Sequence, residues 1–196
     1  MNDRFTDPGE AATPLTPEEI LDLIPAHIAG RRDLNAAEQA NIARAQEWAM
    51  GGRERDLLNA KFIKQLHRRM LGDVWRWAGS FRTSQRNIGI DFWLIDTELH
   101  KLLADAKAWM EYNTYPPDEI AVRFHHRLVL IHPFPNGNGR HARLMADLLV
   151  MKLGGKRFIW GRESLREPGA ARARYIEALH AADNHDFGPL LSFARA

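Results

Sequence analysis

Two nearly unbroken apolar stretches, residues 120–131 and 144–153, flank the twelve residues "HPFPNGNGRHAR", His132 to Arg143. The first stretch carries Ile120, Val122, Phe124, Leu128, Val129, Leu130 and Ile131. The second carries Leu144, Met145, Leu148, Leu149, Val150, Met151 and Leu153, and it ends at Gly154-Gly155. Helices that are apolar on almost every side belong at the centre of a domain. Pro133 and Pro135 forbid one continuous helix, so the chain must turn between them. The spacing therefore predicts two central helices joined by a tight turn, with everything else packed around them.

The rest of the chain supplies the packing. "TPEE" offers Thr16 as N-cap, Pro17 at the first helical position and Glu19 to close a capping box, for a short helix that stops before Pro25. "NAAE" offers Asn35 as the next cap with Glu38 three residues on. That helix runs to about Met50, with Ile42, Ala45 and Ala49 along one side. Phe62, Leu66 and Met70 recur every fourth residue and stop at Gly72. The stretch "WAGSFRTSQRNIGIDFW" loses the helical period, and Ile88 and Ile90 alternate about Gly89, which predicts a loop or small β-hairpin. Asp96 is the predicted cap of a helix bearing Leu99, Leu102, Leu103, Ala106 and Met110, and "AARARYIEALHAAD" and "GPLLSFA" close the chain. The sum is an all-α domain with one hairpin-like insertion. Its expected divisions are a loose tail over 1–15, N-terminal helices over 16–60 and a core over 61–196.

Composition narrows the function. Hydrophobic residues at 45% and charged ones at 27% leave ample material for a core. Lys and Arg number 27 against 25 Asp and Glu and are scattered along helices, too even a balance to argue for nucleic acid. The absence of cysteine removes disulfides, thiolate nucleophiles and Cys-based zinc sites, and fits a reducing compartment. The first residues have no apolar core of a secretory signal, and no segment approaches the roughly 20 apolar residues of a membrane span. The expectation is a cytoplasmic protein with neither membrane nor direct nucleic-acid partner.

The turn carries the chemistry. Gly137 and Gly139 permit backbone angles closed to other residues and let a ligand approach the main chain. A helix beginning near Asn138 turns its unpaired N–H groups and positive dipole end toward the turn, which makes an anion site. Arg140 and Arg143, three apart, bring two guanidinium groups to the same side, and phosphates are their natural guests. His132 at the rim titrates near neutrality and suits a general base for a hydroxyl attacking phosphorus. Phe134 anchors the turn in the core, and Asp147 is placed to orient Arg143 or to form an ordinary helix pair. A turn between buried helices needs no ligand, and one histidine there is often only a satisfied polar group. The coincidence of histidine, glycines, helix start and paired arginines favours function. His125, His126 and His141 show no metal-ligand spacing and read as packing residues. The six tryptophans also read as packing, with Trp75 and Trp77 at the entry to the hairpin segment.

The motif resembles the signature of the Fic family, His-x-Phe-x-Asp/Glu-Gly-Asn-Gly-Arg-x-x-Arg, at every position but one. The phrasing from "TPLTPEE" to "YPPDEIAVRFHHRL" is similar to the subgroup called mobile mystery protein B. The resemblance implies a Fic fold, a helical bundle with a small β-hairpin flap. It implies transfer of AMP from ATP, with Mg2+, to a hydroxyl side chain of a target protein (adenylyl transfer, or AMPylation). By similarity His132 is the base. Gly137, Asn138 and Gly139 cradle phosphate, Arg140 holds the inner phosphates and Arg143 the γ-phosphate. The region from Arg82 to Ile95 resembles the target-binding flap, with Ile88, Gly89 and Ile90 at its centre. Tyr175 or Trp160 would line the adenine pocket. Asn136 departs from the family's acidic residue, which implies weaker Mg2+ binding and altered transferase activity. Glu38 stands near the place of an inhibitory glutamate that pairs with the second arginine, although it also fits the capping box with Asn35. Two other readings stay open: a Doc-like phosphotransferase toxin, and a nucleotide-binding regulatory module of a toxin-antitoxin-like pair. The subgroup also implies a helix-turn-helix companion protein.

Overall fold

The structure is a computed structural model that describes residues 16–52, 55–161 and 168–196, the last stretch without the side chains of residues 168 and 169. The expected tail over residues 1–15 lies outside the described residues. Regular structure among them is helical: α1 (Pro17–Ile20), α2 (Arg31–Met50), α3 (Ala60–Leu71), α4 (Ile95–Glu111), α5 (Pro117–Ile131), α6 (Asn138–Lys152), α7 (Pro168–Asp183) and α8 (Gly188–Arg195), with a 3-10 turn at Phe92–Leu94. No helix among the described residues is long and apolar enough to cross a membrane.

The two apolar stretches form α5 and α6, packed against each other at the centre. Phe124 and Ile131 from α5, and Met145, Leu149 and Val150 from α6, are fully buried. α2 lies on α3, α4 flanks α5, and α7 pairs with α8, whose Leu190 reaches the core. Arg195 of α8 grips Asp118 in the first turn of α5, where Pro117 starts the helix.

The expected cap of α1 forms, and α3 has one that was not singled out in the sequence. Thr16 and Glu19 form the reciprocal capping box, with Thr16 N–H donating to Glu19 Oε2 at 2.9 Å and Glu19 N–H to Thr16 Oγ1 at 3.3 Å. Asn59 caps α3 by accepting from Phe62 N–H at 2.8 Å.

Three expectations are corrected. α2 begins at Arg31 behind Gly30, so Asn35 lies inside the helix and does not cap it. Leu34, Glu38, Asn41, Ala45 and Ala49 make a buried stripe at helical spacing, and inward burial outweighs the local capping signal. α4 begins at Ile95 without a side-chain cap, leaving Asp96 in its first turn. The hairpin is absent: residues 77–91 run as turns, bends and irregular backbone, and the sole β-bridge among the described residues joins Leu23 to Trp75. Side-chain and turn hydrogen bonds, described next, replace the cross-strand ladder.

Candidate functional site

The site is the six-residue loop between α5 and α6, His132 to Gly137, with the segments pressed on it. α5 ends at His132, which adopts the left-handed conformation with φ 51° and ψ 59°, and His132 N–H donates to Leu128 O at 3.2 Å. Such a residue turns the chain sharply out of a helix, and outside glycine it is sparsely populated. Phe134 plunges into the core and stacks on His67 with ring centroids 3.7 Å apart. Asn138 closes the loop: its Oδ1 accepts from Phe134 N–H at 2.9 Å and its Nδ2 donates to Phe134 O at 2.8 Å. The Asn138 side chain is thus occupied in holding the loop's shape.

His67 was not singled out in the sequence, yet it bridges two segments. Gly79 N–H donates to its Nδ1 at 3.0 Å, so Nε2 carries the proton and donates to Asn136 O, also at 3.0 Å. Burial is the main reason its pKa lies well below the usual histidine value, with His141 and Arg140 adding repulsion. Its ring is a neutral tie between the loop and the start of the 77–91 segment.

Gly137, left-handed at φ 76°, is the N-cap of α6 and offers no side chain to its first N–H groups; no acidic residue occupies that first turn. A Cβ on Gly137 would meet Leu71 Cδ1 at 2.6 Å, which the leucine would have to move to relieve, and the left-handed angle itself favours glycine. The helix start is an uncapped dipole end suited to an anion. Arg140 and Arg143 both line a cavity of about 400 Å³ with Gln46 of α2, Arg157, Trp160 and Tyr175. Trp160 and Tyr175, expected near the adenine, sit together on this cavity.

Each arginine already has a partner. Glu38, 7% exposed, accepts from Arg140 Nη1 at 2.7 Å through Oε2 and from Trp75 Nε1 at 2.7 Å through Oε1. The contact is made with Arg140, not with the second arginine. Arg143 lies 5.5 Å from the ring centroid of Tyr175, whose hydroxyl sits 3.0 Å from His125 Nε2. Asp147 does not orient Arg143. It takes Arg157 Nε at 2.7 Å and Trp160 Nε1 at 2.8 Å, and burial raises its pKa despite those donors. His125 and His126 are packing residues as expected, the latter 2.8 Å from Asp183.

His132 is 6% exposed. Burial first, then the positive charges of Arg82 and Arg86, bring its pKa down to about 4, with the Val129 carbonyl pulling the other way. At neutral pH the ring is uncharged and able to accept a proton. The 77–91 segment presses on it closely: Gly89, at φ 93°, leaves only 2.5 Å between an added Cβ and His132 Cβ. Ile90 packs against the core, whereas Ile88 is 49% exposed, so the two isoleucines face different surroundings. Glu19 of α1 meets Arg86 of this segment in a part-buried ion pair, tying the N-terminal helix to it.

A magnesium ion finds little here. Among the described residues no three His, Asp or Glu side chains converge on a metal position. Asn136 Oδ1 accepts from the neighbouring Gly137 N–H at 2.6 Å. A hard divalent cation selects charged oxygens, so this donor set does not fit a resident Mg2+.

Residues 57–150 match the model of the Fic/DOC family. The chain is 33% identical over 145 residues to the protein adenylyltransferase fic-1 of Caenorhabditis elegans, and 31% identical over 142 residues to the protein adenylyltransferase Fic of Aedes aegypti. The matches cover 72% and 70% of this chain but 27% of each relative, so the chain spans about a quarter of their length. A solved C. elegans Fic-1 fragment superimposes with TM-score 0.66 at 28% identity, covering 86% of this chain and 49% of that one. The BepC protein of Bartonella tribocorum, solved with bound AMPPNP, matches with TM-score 0.66 over 92% of this chain and 97% of its own at 16% identity, a likeness of fold alone.

Proposed function

Since this chain belongs to the Fic/DOC family, we propose that it is a protein nucleotidyltransferase that moves AMP from ATP to a hydroxyl side chain of another protein. The observation that carries the reading is the pairing of an uncharged His132 with the uncapped start of α6 one short loop away, in whose first turns Arg140 and Arg143 line one cavity. The triphosphate docks on that helix end, with the main chain of Gly137, Asn138 and Gly139 as its cradle, Arg140 on the inner phosphates and Arg143 on the γ-phosphate. A target hydroxyl, presented by the 82–95 segment around Ile88, Gly89 and Ile90, attacks the α-phosphorus. The new O–P bond forms as the bond to the pyrophosphate oxygen breaks, and the hydroxyl proton passes to the His132 ring. The helix dipole and Arg140 stabilise the charge that gathers on the phosphates.

Mg2+ travels with ATP as its counterion in this reading. Asn136 contributes at most one neutral oxygen, and no step depends on the protein holding the metal. Glu38 acts as an inhibitor by occupying Arg140, so ATP competes with a carboxylate for that guanidinium. The reaction belongs in the cytoplasm, in keeping with a chain free of cysteine. Its companion is a helix-turn-helix protein, as the subgroup resemblance implies.

The test feeds α-labelled and γ-labelled ATP in parallel to the protein and a cell lysate. Label on protein from the α position alone, lost in His132→Ala, supports the reading. Label from γ alone moves the assignment to a Doc-like kinase, and binding without either label moves it to a regulatory module.

A further inference from the structure

Arg82 is 3% exposed, and the guanidinium makes its hydrogen bonds to main-chain carbonyls. Its Nε donates to His132 O at 2.7 Å, its Nη1 to Ser84 O at 3.0 Å, and its Nη2 to Ile90 O. Its own N–H donates to Pro133 O at 2.9 Å. Two of these bonds reach the α5–α6 loop and two reach the segment that covers it. A buried guanidinium is costly unless its donors are satisfied. Here they are satisfied only if both segments keep their places.

The carbonyl of His132 is also one that a left-handed C-cap leaves outside the helical ladder, at the negative end of the α5 dipole. A cation there is stabilising. The same guanidinium lies 3.0 Å from the Cβ position of Gly89, which is itself 2.5 Å from His132 Cβ. The planar fork therefore sets the spacing between His132 and the backbone around Gly89, where a target segment has to pass.

We propose that Arg82 is a positioning residue for the transfer reaction: it holds His132 in its left-handed conformation and locks the 82–90 segment at fixed distance from the ring. The inference rests on the transferase reading for its consequence, but not for its geometry. A lysine offers three donors from a single point and cannot reach carbonyls on two segments in the directions a guanidinium does.

The experiment uses Arg82→Lys and Arg82→Met in the full chain. The charged groups facing the His132 ring are Arg82 and Arg86, both from the covering segment, with the Val129 carbonyl on its own helix. The readouts are the His132 ring titration by NMR, amide exchange over residues 82–91, ATP affinity, and kcat with KM for a labelled target. In Arg82→Met the ring titrates at higher pH, because a positive neighbour is gone, and segment amides exchange at least tenfold faster. ATP affinity stays within twofold, since Arg82 is not among the groups on the α6 start. The kcat falls about 100-fold, the loss expected for a reacting group displaced by about 1 Å. Arg82→Lys keeps the ring titration near wild type but still loosens the segment, and it recovers only part of kcat. Unchanged segment exchange in both variants overturns the proposal whatever the activity. If the Met variant fails to fold, the Lys variant alone decides by the same exchange and kcat readouts. A wild-type protein that transfers no label sinks the transferase reading, while titration and exchange still judge the role of Arg82.

Discussion

Replacing Glu38 by Gln removes one charge and little else. Oε1 can go on accepting from Trp75 Nε1, now 2.7 Å away, while the other terminal atom becomes an amide that no longer attracts Arg140. The Arg140 side chain is 34% exposed and that of Glu38 10%, so the pair sits at the margin of solvent. Two unit charges about 4 Å apart attract by about 4 kcal/mol at an effective dielectric of 20, before solvent competition reduces it. Discounted for that exposure, a phosphate that must displace Glu38 forgoes about 1.4 to 2.8 kcal/mol, or 10- to 100-fold in affinity. Glu38→Gln is therefore expected to bind ATP at least tenfold more tightly by calorimetry, and to transfer α-label faster at subsaturating ATP. The gain shrinks as salt rises, because a pair this exposed is screened. Glu38→Ala adds a second cost: the buried Trp75 N–H loses its acceptor, about 1–3 kcal/mol, and the melting temperature falls roughly 2–4 °C for each kcal/mol. ATP affinity of Glu38→Gln within twofold of wild type would refute the reasoning, since it would mean the carboxylate and the phosphate do not compete for Arg140.

Four further outcomes follow from the same geometry. The His132 pKa is depressed in the folded state, so the ring stays neutral until the pH falls well below the ordinary histidine range; the acid limb of kcat/KM should lie near pH 4 to 5, and a limb at 6.5 or above contradicts the buried ring. The same depression in His125 and His141, each to about 3, means protonation favours the unfolded chain: their contribution is intact above about pH 6.5 and declines as the pH drops toward 3, so melting temperature should fall steadily through that window. Gly89→Ala places a Cβ 2.5 Å from His132 Cβ at a φ of 93°, and should lower kcat about 100-fold while ATP affinity holds; equal kcat would show that the segment yields. Asn136→Asp supplies the missing charged oxygen, and transfer should then become more steeply dependent on Mg2+, read as the half-saturating metal concentration; an unchanged curve would show that Asn136 is remote from the metal.

The helices were legible from the chain because their signals are local. Apolar periodicity placed α3, α5 and α6, the Thr16–Glu19 box placed α1, and the two prolines and Gly137 placed the turn. Local signals misled where a tertiary demand was stronger. Asn35 and Glu38 match a capping box, but the buried stripe through Leu34, Glu38 and Asn41 draws α2 past them. The alternation of Ile88 and Ile90 suggested a strand pair, but with Arg82 already donating to Ser84 O and Ile90 O, those carbonyls serve a side chain and not a ladder.

By itself the sequence determined the chemistry on offer: His132, a glycine-bearing turn, a helix start and two arginines follow one another within twelve residues, so their proximity needs no fold to arrange it. Only the tertiary structure decided their state. Glu38 meets Arg140 across 102 residues, His67 meets Asn136 across 69, and Arg82 meets His132 across 50. No periodicity encodes such contacts, because each depends on which helix faces lie together once the core closes. The depressed pKa of His132 has the same origin, since burial and two arginines from a distant segment set it, and neither exists in the extended chain.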